Sequence, residues 1–192
     1  LVFILTIFFA NQSPSAKEKM IDNRIVSTNL CIDGLLIALI GTKDVVAVSS
    51  VAADPRYSLI ADEVKSLQKV TFNAEAIYAL NPSLVLASNF SSPKTRLALS
   101  KLGVDVKMVN YAQSIKDVEN NLNYLGELLG ASTKAAEIIK TIQVTKQRSE
   151  NKVTLEALQY SANKYVNGQH SLISDILRRS GFSRPSQMSE NP

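Results

Sequence analysis

His170 is the only histidine of this 192-residue chain, with Ser171 beside it and Asp175 a helical turn further on. Hydroxyl, imidazole and carboxylate are the groups of acyl-transfer catalysis, so a small α/β hydrolase using Ser171, His170 and Asp175 is one chemistry these residues could attempt. No Gly-x-Ser-x-Gly elbow accompanies them, however. A zinc or manganese site needs several histidine, cysteine and carboxylate ligands converging, and one histidine with one cysteine, Cys31, cannot supply the set. Gly34 and Gly41 form no dinucleotide fingerprint, and no Gly-Lys-Ser/Thr phosphate loop occurs. The reading is therefore not an enzyme, with no metal and no cofactor.

Glu75 is the carboxylate with a second use. Asn73-Ala74-Glu75 opens a predicted helix, and a negative charge in a first turn is favoured by the helix dipole. The same place displays that charge at the end of a lobe, where an arginine of a partner could pair with it. The residues alone leave both uses open.

These positions are held by a stretch from Arg24 to Ala87 in which strands alternate with helices. Arg24 to Ser27 reads as a short apolar strand. Ile32, Leu35, Leu36 and Leu39 then recur at helical spacing, with Gly41 as a stop. Val45–Val48 returns to strand, Asn73 caps a helix through Leu80, Asn81-Pro82 ends it, and Leu84–Ala87 is the next strand. Such alternation predicts a parallel sheet covered on both faces, with binding loops at the carboxyl ends of the strands.

The same signals continue. The segment from Ser49 to Thr71 reads as irregular, with one short helical piece near 59–64. Ser92 with Pro93 opens a helix that Gly103 stops, Val104–Val109 is a strand, and Ser114 with Asp117 forms a capping box. Ser132 opens a long helix whose apolar stripe, Ala135, Ile138, Ile139 and Ile142, gives way to a polar run; it reads as a rigid spacer. Val153–Tyr160 then reads as a strand, 163–168 as a loop and 172–180 as a helix ended by Gly181.

Residues 1–10 are almost wholly apolar and uncharged, and small polar residues follow. That is the pattern of a secretory signal peptide, here without its basic n-region and extending to residue 16. A single cysteine allows no internal disulfide, and Cys31 lies too far from the apolar run to serve as a lipid anchor. Net charge is +4, but Lys and Arg are scattered and Trp is absent, so no nucleic-acid partner is expected. Hydrophobic residues make up 45% of the chain, enough for one substantial core and part of another.

Arg24-Ile-Val-Ser-Thr-Asn-Leu-Cys-Ile-Asp33, Val46–Ser50, Ala53–Arg56, Asn73–Glu75 and Ala79–Ala87 together resemble the substrate-binding proteins of ABC importers for iron-siderophores, haem and cobalamin. Leu102-Gly-Val104, Leu125-Gly126 and Leu129-Gly130 continue the likeness, and Asn163–Gly168 with Ser171–Gly181 resemble the start of the family's second lobe. The resemblance implies an α/β fold of two Rossmann-like lobes with parallel sheets joined by one long helix. On that plan 17–131 is the first lobe, 132–151 the bridging helix, 152–182 a partial second lobe and 183–192 an irregular tail. It implies a monomeric periplasmic protein that holds a metal chelate between its lobes and presents glutamates to arginines of the inner-membrane permease. Glu75 matches the first-lobe glutamate. Cleft positions carry over as Leu30, Cys31, Val51, Ser88, Asn89, Asn163 and Tyr165. Haem-binding relatives often place a tyrosine shortly before the docking glutamate. Val64–Phe72 contains none, which favours a siderophore or a corrinoid.

Two departures stand out. Gly34 sits inside the first helix, where a glycine costs about 1 kcal/mol. Residues 152–192 are too few for a whole second lobe, so the resemblance implies a truncated one, with an unpaired edge and exposed apolar surface. A single-lobe remnant or interaction protein without solute binding is the rival from a different class.

Overall fold

The computed structural model describes residues 24–148, 155–161 and 165–185. The apolar leader and Asn163 lie outside the described residues. Five strands form one parallel sheet: β1 (Ile25–Ser27), β2 (Val45–Ser49), β3 (Gln68–Val70), β4 (Leu84–Ser88) and β5 (Val106–Val109). Their order is β3-β2-β1-β4-β5. The chain thus steps outward from β1 to one edge, returns to the other side of β1, and steps outward again. The direction reverses between β1 and β4, and in open α/β sheets such a reversal leaves a crevice beyond the carboxyl ends of the strands.

The crossovers are α1 (Leu30–Ile40), α2 (Ala61–Val64), α3 (Ala74–Ala79) and α4 (Pro93–Lys101), followed by α5 (Ile115–Leu128) and α6 (Ser132–Arg148). Four of them, α1, α3, α4 and α5, begin on a polar cap. Asn29 Oδ1 accepts from the Cys31 and Ile32 amides, Asn73 from Ala76, Ser92 from Thr95 and Ser114 from Asp117. These bonds satisfy N–H groups that a helix start leaves without partners. At the other end of α3, Asn81 takes φ 47° before Pro82, and the Arg24 guanidinium donates to the Leu80 and Asn81 carbonyls.

Both faces of the sheet are buried, which is why β2 and β4 read as unbroken apolar runs. Ile25, Val45, Val48, Leu84 and Leu86 face one core with Ile32 and Leu36 of α1, Leu122 and Leu125 of α5 and Ala135 of α6. Val26, Ala47, Val70 and Val85 face the other with Ile77 of α3 and Leu99 of α4. The expected stripe of α6 is real: Ile138, Ile139 and Ile142 lie against the first core. The opening turns of this helix therefore belong to the sheet domain. α5 and α6 approach closely where Gly126 faces Ala135, and a Cβ on Gly126 would stand 2.7 Å from Ala135 Cβ.

One strand departs from the reading of 49–71 as irregular with a helical piece. Gln68–Val70 pairs with β2 and forms the sheet edge, and the helical piece is Ala61–Val64. Gln68 and Lys69 are exposed, so no apolar run marks the strand. The Lys69 ammonium donates to the carbonyls of Val64, Lys65 and Leu67, an inward-folded cation on an edge strand.

Beyond α6 the described chain forms a small second region. β6 (Tyr160–Ser161) and β7 (Tyr165–Val166) pair antiparallel, and α7 (Leu172–Arg179) follows, capped by Ser171. The strand expected over Val153–Tyr160 and the loop expected over 163–168 are thus reapportioned. Within the described part, Leu155–Gln159 makes a single parallel bridge, Glu156 with Ser183, and the ladder begins only at Tyr160. The physical reason is connection length. The chain returns within a few residues of Ser161, which permits only antiparallel pairing, whereas the crossover through α7 delivers the parallel bridge.

Candidate functional site: the carboxyl edge of the parallel sheet

Every strand of a parallel sheet ends on the same side, so the segments after β1, β2, β4 and β5 gather at one edge. Thr28 leaves β1 with its amide and hydroxyl both donating to the Leu86 carbonyl of β4, at 3.2 and 3.1 Å, which stitches the two strands at the direction reversal. After β4 and β5 the chain makes a paired rim. Asn89 Nδ2 donates to Asn110 Oδ1 at 2.8 Å, and the rings of Phe90 and Tyr111 meet edge to face with centroids 5.3 Å apart. Asn110 is held from behind, its carbonyl accepting from Asn121 Nδ2 of α5 at 2.8 Å. Phe90 is 78% exposed and Tyr111 53%, so this aromatic pair stands in solvent. The segment after β2 adds Val51, Tyr57 and Leu59, also exposed, with the Arg56 guanidinium paired to Asp54 and 5.4 Å from the Tyr57 ring centroid. A rim with apolar rings, amides and one cation can hold a large ligand with both apolar and polar surface.

Beneath the rim lies a buried carboxylate. Asp33, in the first turn of α1, is fully buried, and it accepts from the Ser49 amide and hydroxyl at the end of β2. Burial pushes its carboxyl above the usual carboxylate range, while the Ser27 and Ser49 hydroxyls and the Ser49 amide pull the other way. Asp33 ties the start of α1 to the end of β2, and so fixes the two loops nearest the crevice.

The described members of the predicted cleft fall into four groups. Cys31 and Val51 are exposed at this edge. Leu30 is half-buried against the core, and Ser88 is half-buried at the last pairing of β4 with β5. Asn89 already spends one amide hydrogen on Asn110. Tyr165 is 63% exposed on β7 in the second region. Sequence reasoning missed Phe90, Asn110 and Tyr111. A polar loop after a buried strand was visible for the first, but nothing in the spacing joins residues that meet only through sheet pairing.

Glu75 is exposed in the first turn of α3. Because α3 follows the carboxyl end of β3, Glu75 stands at the same edge as the rim. Among the described residues it makes no ion pair. A cavity of about 370 Å³ lies elsewhere, between Leu158 and Val166 on one side and Ile173, Leu177 and Phe182 on the other.

The hydrolase constellation is not assembled. Asp175 accepts from the Ile115 amide and is held by Arg178 and Arg179, while Ser171 bonds to Ser174. No hydrogen bond among the described residues joins His170 to either. No group of three histidine, cysteine or acidic side chains among them could hold a metal ion, and no described helix is long and apolar enough to cross a membrane.

A doubly wound sheet whose polar and aromatic loops crowd one edge defines a ligand-binding lobe. Residues 25–189 match the family described as periplasmic binding protein, and the chain belongs to that family. It is 36% identical over 87 residues to YvrC of Bacillus subtilis (strain 168), an uncharacterized ABC transporter substrate-binding lipoprotein; the match covers 42% of this chain and 28% of that one. Its fold is similar to that of a possible iron-binding periplasmic solute-binding protein of Staphylococcus epidermidis ATCC 12228, with a TM-score of 0.70 at 23% identity, covering 84% of this chain and 66% of the other. Two proteins of Vibrio cholerae are similar as well. The periplasmic haem-binding protein HutB has a TM-score of 0.73 at 18% identity, with 85% and 65% of the two chains covered. The vitamin B12-binding protein BtuF has a TM-score of 0.64 at 22% identity, with 88% and 68% covered. The chain thus spans about two thirds of the length of these solved proteins and a smaller share of YvrC.

Proposed function

We propose that this protein is the solute-binding component of an ABC importer, working in the periplasm. It captures a metal chelate, a ferric siderophore or a corrinoid, between the rim of its parallel sheet and the segment around Asn163 and Tyr165, with the long α6 helix between the two. The observation that carries this is the Phe90–Tyr111 ring pair beside the Asn89–Asn110 bridge. It offers a bulky chelate apolar contact and hydrogen bonds at the point where α/β sheets bind ligands. Membership of the periplasmic binding protein family supports the same reading, as do structural relatives described as binding iron, haem and vitamin B12.

Delivery runs through Glu75. Its carboxylate, exposed and without an ion pair among the described residues, suits an arginine of the inner-membrane permease. Ligand rim and docking charge share one edge, so a permease seated there would face the bound chelate.

Equilibrium dialysis tests the reading. The purified protein is dialysed against a ferric catecholate siderophore, a ferric hydroxamate siderophore, cyanocobalamin and haemin. One-to-one binding of a siderophore or the corrinoid, weakened by Phe90→Ala, is expected. Retention of none of the four would end the proposal, and retention of haemin alone would replace the ligand class.

A further inference from the structure

Among the described residues, the hydrogen bond that crosses between the two regions is made by one carboxylate. Asp175, on the first turns of α7, is only 4% exposed. Its Oδ2 accepts from the Ile115 amide, the first N–H of α5, at 2.8 Å and from Arg179 Nε at 2.7 Å, while Arg178 holds Oδ1. That amide belongs to the set a helix start cannot satisfy internally, and an ionised acceptor makes the bond stronger and shorter than a neutral one. The carboxylate also lies near the positive ends of two helices, α5 and its own α7. Burial alone would raise its carboxyl group's pKa, but the Ile115 amide and the two arginines outweigh this and hold it below the usual range.

What Asp175 joins matters more than its strength. On one side α5 leads back through Ser114 to Tyr111 and Asn110, the second half of the binding rim, and Asn121 of the same helix holds the Asn110 carbonyl. On the other side α7 continues directly from the segment that carries Tyr165. Of the four apolar residues of α7, two are exposed, Ile173 at 37% and Ile176 at 39%, and Leu172 and Leu177 are half-buried. Relative motion is the ordinary condition of two regions without a large apolar interface.

We infer that Asp175 is a positioning residue, a latch that sets the spacing between the Asn110–Tyr111 rim and the Tyr165 segment. The inference rests on the proposed cleft for its significance, but its geometry can be measured with no ligand present.

The single native cysteine makes the measurement direct. Cys31 is exposed at the rim, and Gln169→Cys adds a second exposed site just ahead of α7. With nitroxides at both, pulsed electron–electron resonance on the full chain should give one narrow distance distribution. Asp175→Ala should broaden it about twofold, since free relative motion is then the default. Asp175→Glu should restore most of the narrowness, and the far-UV melting transition of the parallel sheet should persist in both. An unchanged distribution in Asp175→Ala overturns the inference. If Asp175→Ala fails to fold, Ile115→Pro decides in its place, since it removes the donor N–H at a first helical position where proline is accepted: broad supports the latch, narrow overturns it. Failure of chelate binding in the parent protein would sink the functional proposal and leave this result standing.

Discussion

The carboxylate oxygens of Asp33 lie 3.3 and 3.2 Å from the backbone nitrogen of Ser49, joining the first turn of α1 to the last residue of β2. The bond is buried, and it lies at the sheet edge where the proposed ligand rim stands. Removing one partner of such a bond costs more than the bond itself contributes, because the other partner is left without water or acceptor.

Asp33→Ala should therefore destabilise the protein by about 1–3 kcal/mol. Asp33→Asn should cost less, since an amide still offers an acceptor to Ser49. The two also differ in pH response. The folded pKa of Asp33 is raised, so the native state holds its proton more tightly than the unfolded chain does. Its effect on stability is neutral below the unfolded value of about 3.9 and becomes unfavourable as pH rises toward the folded value. Urea midpoints measured across that window should fall for the parent relative to Asp33→Asn. A constant offset would show that Asp33 does not titrate there.

Two helical glycines should respond in opposite directions. A Cβ on Gly34 meets nothing within 4 Å, whereas one on Gly126 meets Ala135 Cβ at 2.7 Å and Ser132 Cα at 3.3 Å. Gly34→Ala should stabilise by about 0.5–1 kcal/mol through helix propensity and a less free unfolded chain. Gly126→Ala should destabilise by about 1–3 kcal/mol through overpacking. Adding Ala135→Gly to Gly126→Ala should recover part of that loss, and thermal melts of the three variants would show whether the α5–α6 crossing is as tight as described.

Phe90→Ala and Tyr111→Ala remove rings that stand in solvent, so the melting temperature should move little. Chelate affinity should weaken about tenfold, equivalent to about 1.4 kcal/mol. A double variant that loses no more than either single one would indicate that the edge-to-face pair contributes as a unit. Loss of stability with unchanged affinity would assign the rings to folding.

Glu75→Lys reverses a charge that holds no ion pair among the described residues. Melting and chelate binding should match the parent. Stimulation of the importer's ATPase in proteoliposomes should fall at least tenfold, because a like charge would then face the permease arginine. Full stimulation by the lysine variant would remove Glu75 from the docking surface.

Much of the first region was legible because its signals are local. The caps at Asn73, Ser92 and Ser114, the stop at Gly41, and the apolar runs of β2 and β4 each sit within a few residues of what they specify. β3 was not, since an edge strand with Gln68 and Lys69 in solvent carries no periodic mark. The rim was half legible. Asn89 follows a readable strand, but its partner Asn110 is set beside it by the pairing of β4 with β5, which no window around either residue contains. Asp33 escaped for a related reason. In sequence it is a polar residue on a helix, and only the return of β2 turns it into a buried acceptor. The second region was least legible, because Leu155–Tyr160 mixes exposed apolar and polar residues and forms its ladder only at the end.

The first described strand is the middle of its sheet, and that has a consequence for how such a chain is made. β1 needs β2 on one flank and β4 on the other, and β4 emerges from the ribosome only after two further strands and three helices. Until then the nascent chain carries an apolar ribbon that cannot close. For the periplasmic location proposed above, such a delay would keep the chain extended while it is exported, with time for holding chaperones to engage it.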